Sequence, residues 1–246
     1  MSISSFLSRN YWRFGFGSRL YDLLIPEAYL YALERAVECA PDGEERVWFD
    51  AGCGSGILIS SLKRQLLSGD IYIGTDILYS GLSIARKRSR KLGLPHRTLV
   101  FQNDMTRSIP IVLKTPNVIV AFFSLYTIPD PEKRTQTLKY FQSILKPGGC
   151  LILVSPSKGH STRRIIKTSV EIAKRKNSAH KAWIREWLIL PLTFFIGLNI
   201  VEHQLRNNEW KAYSLDELCW EIKSAGFKIK FTESVYGESA FLVVAE

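Results

Sequence analysis

The stretch Val47-Trp-Phe-Asp50-Ala-Gly52-Cys-Gly54-Ser-Gly56 constrains this chain more than any other. A short apolar run ends in an acid, and three alternating glycines follow. Apolar residues then recur at helical spacing from Ile57 through Leu58 and Leu62 to Leu66, which predicts a helix to about Leu67. Glycine reaches backbone angles closed to other residues and lets another group approach the main chain closely. Doubly wound folds bind nucleotides at such a strand-to-helix turn, at the carboxyl end of the first strand. The dinucleotide fingerprint GxGxxG is the competing reading. Counted from Gly52, its third glycine would fall on Ile57, whereas here it is Gly56 and the pattern is DxGxGxG.

The chain then keeps a strand-helix rhythm. Strands are expected at 71–75, 98–102, 117–123 and 150–155, with helices over 82–92 and from Asp130 to about Leu145. Asp130, Pro131 and Glu132 read as N-cap, first position and first-turn acid. Ser214 and Glu217 form a capping box for a helix that stops at Gly226, and strands follow at 227–232 and 240–245. The last two strands lack a crossover helix, so they should pair antiparallel. Upstream, residues 19–40 read as two helical pieces, with Pro26 in the first turn of the second. Alternation of this kind implies an α/β, doubly wound, mostly parallel sheet with helices on both faces. The expected organisation is one domain: a helical cap (1–44), a core (45–155 and 213–246) and a helical insertion (156–212).

Asp76 ends the second predicted strand, Asp104-Met105 follows the third, Phe123-Ser124 follows the fourth, and Lys146-Pro-Gly-Gly149 precedes the fifth. With the acid-glycine loop, these resemble the motifs of class I S-adenosylmethionine-dependent methyltransferases, in the same order. The resemblance covers residues 45–155 and 214–246. It implies a Rossmann-like seven-stranded sheet with an antiparallel C-terminal strand, and S-adenosylmethionine as cofactor. It implies cofactor contacts at Asp50, Gly52, Gly54, Gly56, Asp76, Ile77, Asp104, Met105, Phe123 and Ser124. Asp76 would accept the ribose hydroxyls and Asp104 the adenine amino group, with Met105 against the base.

No (N/D)PPY motif follows the fourth strand, which disfavours DNA-base and glutamine acceptors. Tyr21-Asp22, with the Phe-Phe-Ser and Pro-Gly-Gly stretches, is similar to the ubiquinone/menaquinone and small-molecule methyltransferases, so the resemblance implies a small, lipophilic acceptor. Tyr11, Tyr21 and Tyr126 are candidates for contact with cofactor or acceptor, against plain aromatic packing. His160 and His203 flank the insertion and are candidate bases, against the alternative of surface histidines without a role. A dedicated base is not required, because many members of this family act largely by alignment.

The net charge is +10, and residues 155–212 carry eleven Lys/Arg against four Asp/Glu. Residues 187–201 run without a charge, too short to span a bilayer, which takes about 20 apolar residues. Together these fit a lid packed over the site, peripheral membrane contact, or less readily a nucleic-acid surface. The basic run Ala85-Arg-Lys-Arg-Ser-Arg-Lys91 reads as a solvated helix face. Two other functions stay open: an RNA or protein methyltransferase docking through the insertion, and a non-catalytic assembly module. The four cysteines are far apart and no His/Cys/acid cluster has ligand spacing, so neither disulfides nor a metal are expected. No signal peptide is evident and the expected location is the cytoplasm.

Overall fold

The computed structural model describes residues 24–107, 115–176, 193 and 198–246. In chain order these form α1 (Glu27–Glu38), β1 (Val47–Ala51), α2 (Ile57–Ser61), α3 (Lys63–Leu67), β2 (Ile71–Asp76), α4 (Tyr79–Lys91), β3 (Thr98–Gln102) and β4 (Val118–Phe122). There follow α5 (Pro131–Ile144), β5 (Cys150–Pro156), α6 (Thr162–Lys176), α7 (Asn199–Arg206), α8 (Leu215–Ser224), β6 (Ile229–Val235) and β7 (Ala240–Ala245). The strands make one seven-stranded sheet in the order β3-β2-β1-β4-β5-β7-β6. Neighbours from β3 to β5 pair parallel, and β7 runs antiparallel to both β5 and β6. This is the expected Rossmann-like fold. The order reverses between β1 and β4, and that switch point opens a crevice at the strands' carboxyl ends.

Strict alternation along the central strands builds two cores. Trp48, Tyr72, Val118, Val120, Ile152 and Val244 point to one face, where α1, α2, α3, α4 and α6 pack. Phe49, Ile119, Ala121, Leu151 and Val243 point to the other, under α5 and α8. The central strands β4 and β5 are buried along their whole length, as continuous apolar runs in a parallel sheet require.

Several boundaries differ from the expectation. The helix over 57–67 is interrupted at Leu62, whose φ of −87° and ψ of 7° leave helical space. The bonds Leu62 N to Leu58 O and Leu66 N to Leu62 O bracket the irregularity, so the path continues. Pro26 is the N-cap of α1, with ψ at 151°, rather than a first-turn residue. Helix α4 starts at Tyr79, three residues before Leu82, although Gly81 lies in its first turn. Strand β6 starts at Ile229 because Phe227 is buried beyond the α8 terminus and a register shift follows at Ile229/Phe231. The Asp130 and Ser214 caps are formed as expected.

The insertion leaves and rejoins the core at one point. Tyr213 N donates to Pro156 O at 3.0 Å and Lys158 N to Tyr213 O at 2.7 Å. Helix α6 then packs along α1, with Ala28 N donating to Ser169 Oγ at 3.1 Å. Tyr11, Tyr21, the first helical piece and most of the charge-free run 187–201 lie outside the described residues. No described helix is long and apolar enough to cross a membrane.

Candidate active site

The glycine loop is fixed from three sides. Gly52 N and Cys53 N both donate to Thr75 O, at 2.8 and 2.9 Å, which ties the end of β1 to β2. Gly52 has φ +81°, and a Cβ there would lie 2.5 Å from Ser124 Cβ and 2.8 Å from Met105 Cε. From below, α4 forms a seat. A Cβ on Gly81 would meet Gly54 O at 2.8 Å, and one on Gly56 would meet Ala85 Cβ at 2.7 Å. Arg88, one turn further along the same helix face, donates to Ser55 O and approaches Ser55 Oγ at 3.3 Å.

Arg88 therefore departs from the reading of this helix as a solvated face. A guanidinium holding a loop carbonyl is a charge-assisted bond of about 1.5–3 kcal/mol. An Arg88→Met variant should bind cofactor roughly tenfold more weakly while α4 stays folded. Calorimetric titration beside circular dichroism checks this, and an unchanged affinity would rule the clamp out.

Eight of the ten expected contacts line one cavity of about 480 Å³: Gly52, Gly54, Asp76, Ile77, Asp104, Met105, Phe123 and Ser124. That volume is within the range of small-molecule sites, roughly 300–1,000 Å³. Asp76 Oδ2 accepts from Gly54 N at 2.9 Å and Oδ1 from Leu78 N at 2.8 Å. Burial pushes its carboxyl up, and the N–H groups of Leu78, Gly54 and Ile77 pull it back. Asp104 Oδ1 accepts from Thr106 N at 2.9 Å and Thr106 Oγ1 at 2.7 Å. Each carboxylate oxygen can accept more than one donor, so both acids keep capacity toward a ligand. Ser124 Oγ is buried in the cavity wall without a hydrogen-bond partner among the described residues.

Asp50 and Gly56 stand behind the loop instead of on the cavity. Asp50 is 4% exposed and its Oδ2 accepts from the Tyr72 hydroxyl at 2.7 Å. Gly74 makes room for that ring, since a Cβ there would come within 2.8 Å of the Tyr72 oxygen. Burial pushes the Asp50 carboxyl up to about 7; the Tyr72 hydroxyl opposes this and the nearby Asp76 adds to it.

A raised carboxyl means that the folded chain holds a proton which the unfolded chain releases near pH 4, so Asp50 erodes stability as pH rises from about 4 to about 7. Asp50→Asn keeps an acceptor for Tyr72 and removes that ionisation. Its melting temperature relative to the parent should climb between pH 5 and pH 8. A pH-independent difference would refute the burial argument.

The catalytic candidates are not gathered at the cavity. Tyr126 is 2% exposed and packs edge-on against Trp210 at 5.6 Å. His160 is held by Ser239 O, 3.3 Å from Nδ1, and its buried Nε2 has no partner among the described residues. Burial lowers its pKa, and its ring lies 6.3 Å from Tyr236, off the cavity wall. His203 is exposed and contacts Asn207 at 2.9 Å. Tyr21 lies outside the described residues. Among those described, no group of three or more His, Cys, Asp or Glu could hold a metal ion.

Two wall residues had no signal in the sequence. Tyr29, on α1, stacks on Phe123 at 5.6 Å and meets the edge of Phe122 at 4.9 Å. Lys133 reaches the wall from α5. Nothing in their local patterns separates them from ordinary helix residues.

The cavity fits the cofactor that the sequence implies. It offers a glycine cradle that a Cβ would fill, two strand-end acids flanked by Ile77 and Met105, and an unpartnered hydroxyl. Comparison with known proteins agrees. The profile of the methyltransferase domain family matches residues 24–230. A ubiquinone biosynthesis O-methyltransferase of Histophilus somni is 28% identical over 109 residues, 44% of this chain and 43% of that protein. A tRNA N(3)-cytidine methyltransferase of Xenopus tropicalis is 27% identical over 107 residues, 42% of this chain and 31% of that one. The match thus spans less than half the length of either curated relative. The fold is shared with a SAM-dependent methyltransferase from Aquifex aeolicus, at TM-score 0.59 and 15% identity, covering 100% of this chain and 98% of that one. The chain belongs to the methyltransferase domain family of class I fold, and S-adenosylmethionine is its cofactor.

Proposed function

We propose that this chain transfers the methyl group of S-adenosylmethionine to a small, largely apolar acceptor. The composition of the cavity wall carries the reading. Tyr29, Phe122, Phe123, Ile128 and Pro129 make it apolar, while its charged residues, among those described, are Asp76, Asp104, Asp130 and Lys133. Such a rim suits a cationic cofactor and repels a phosphate backbone. Phe123 and Tyr236 take left-handed backbone angles, φ +49° and +59°, and their rings lie 5.0 Å apart. For bulky residues that conformation costs about 1–2 kcal/mol each, and such strain concentrates at ligand sites. The likeness to a ubiquinone O-methyltransferase supports this acceptor class.

When bound, the cofactor supplies an activated methyl group on a sulfonium. The chain's residues bind, orient and exclude water. Asp76 and Asp104 would hold the two ends of the nucleoside, Gly52 leaves space beside Ser124 and Met105, and Ile77 and Met105 would lie against the base. Tyr29, Phe122 and Phe123 would exclude water from the cavity and orient an apolar acceptor there. No histidine lines the cavity among the described residues.

The test is transfer of labelled methyl from the donor to a panel of quinols, phenols and lipids, beside bulk RNA and protein. Label in a small apolar product supports the reading. Label in RNA or protein alone would overturn it in favour of the reading that the tRNA methyltransferase relative supports.

A further inference from the structure

The positive charge of this chain is sorted by the fold onto one side of the sheet. Helices α1, α2, α3, α4 and α6 form one layer, because they share a core. Among the described residues that layer exposes ten Lys/Arg side chains, two on α3, three on α4 and five on α6, against three acids, Glu34, Glu38 and Glu171. The opposite layer, α5 and α8, exposes three cations and two acids. In the sequence the cations of α4 and α6 stand about 80 residues apart. Only the packing of α4 against α2, α2 against α1, and α1 against α6 brings them into one surface.

We propose that this helical layer docks on an anionic lipid surface. Three observations select a membrane over a nucleic acid. The cations spread across the outer faces of several helices; Arg163 and Arg164 border two surface clefts, and the cations of α3 and α4 line neither, so no one groove gathers them to track a phosphate backbone. They also do not converge on the cavity, whose charged lining among the described residues is three carboxylates and one lysine; a nucleic-acid substrate would need its phosphates there. Finally, Tyr31 on α1 and Leu67 on α3 are 42% and 63% exposed within the same layer, and apolar tips among cations suit a headgroup region. Helix α1 joins the two features, since it belongs to this layer and carries Tyr29 into the cavity wall. A membrane lying on the layer would meet one edge of the cavity. The proposal does not depend on the acceptor being a lipid.

The experiment is co-sedimentation of the full chain with phosphatidylcholine vesicles, with and without about one-third phosphatidylglycerol, at several salt concentrations. Binding to the anionic vesicles alone, weakening with salt, is expected. A triple variant, Lys87→Gln, Arg90→Gln and Lys91→Gln, should bind about two orders of magnitude more weakly, at roughly fivefold per cation. The pair Lys167→Gln and Arg175→Gln should act likewise, about 25-fold, and guards against misfolding of the first variant. Lys139→Gln with Lys223→Gln, on the opposite layer, should bind like the parent. Cofactor titration of each variant reports its fold, so failure of vesicle binding is distinguishable from failure of the methyltransferase reading. Equal binding to neutral vesicles, equal losses from both layers, or capture of duplex RNA without capture of vesicles would overturn the proposal.

Discussion

An Asp76→Ala variant should lose S-adenosylmethionine affinity by at least about 100-fold, because a carboxylate accepting two hydroxyls contributes about 1.5–3 kcal/mol per bond. The effect has a second source within the chain. Asp76 Oδ2 also accepts from Gly54 N at 2.9 Å, so removing the carboxylate frees the middle glycine of the loop. The fold should survive, since the burial that pushes this carboxyl up is itself unfavourable to the ionised form. The diagnostic outcome is thus a collapse of binding with little change in melting temperature. Calorimetric titration measures the first and a thermal scan the second. An affinity within about threefold of the parent would remove Asp76 from the site.

The largest effect on stability is expected at Glu221, far in sequence from the glycine loop. Its Oε1 accepts from Arg134 Nε at 2.9 Å, with side chains only 10% and 5% exposed. The Tyr213 hydroxyl reaches the same oxygen at 3.3 Å. Glu221→Ala would leave a guanidinium buried without its counter-charge, a loss of about 3–5 kcal/mol. In a chain of this size that lowers the melting temperature by about 10 °C. Arg134 also donates to Ile128 O at 2.7 Å and Pro129 O at 3.1 Å. Those residues line the cavity, so the variant should also bind the acceptor more weakly. Replacing both partners together, Arg134→Met with Glu221→Leu, should recover much of the stability, since no buried charge is then left alone. A scan in which Glu221→Ala costs less than about 1 kcal/mol would show that the pair is not what joins α5 to α8.

The strands and the helix caps could be read from the sequence because each has a local cause. Asp130 and Ser214 cap their helices through bonds within three residues, and the apolar runs of β4 and β5 follow from burial on both faces of a parallel sheet. The glycine spacing marked the loop, and the strand-end acids Asp76 and Asp104 lie on the cavity as their positions suggested. The start of α4 was hidden because Gly81 reads as a helix breaker. It is required there by the Gly54 carbonyl, 2.8 Å from where a Cβ would be, and that contact joins residues 27 positions apart.

By itself the sequence determined the doubly wound class, the glycine loop and the acids at the strand ends, because these rest on backbone geometry, periodicity and neighbours a few residues away. Tertiary structure alone decided that Asp50 is buried behind the loop, that Arg88 clamps it, that Tyr29 joins the aromatic wall, and that His160 and Tyr126 stand off the cavity. It also decided that two distant basic helices share one layer. Each of these depends on which segments the sheet order brings side by side, and long-range packing leaves no local period in the chain to read.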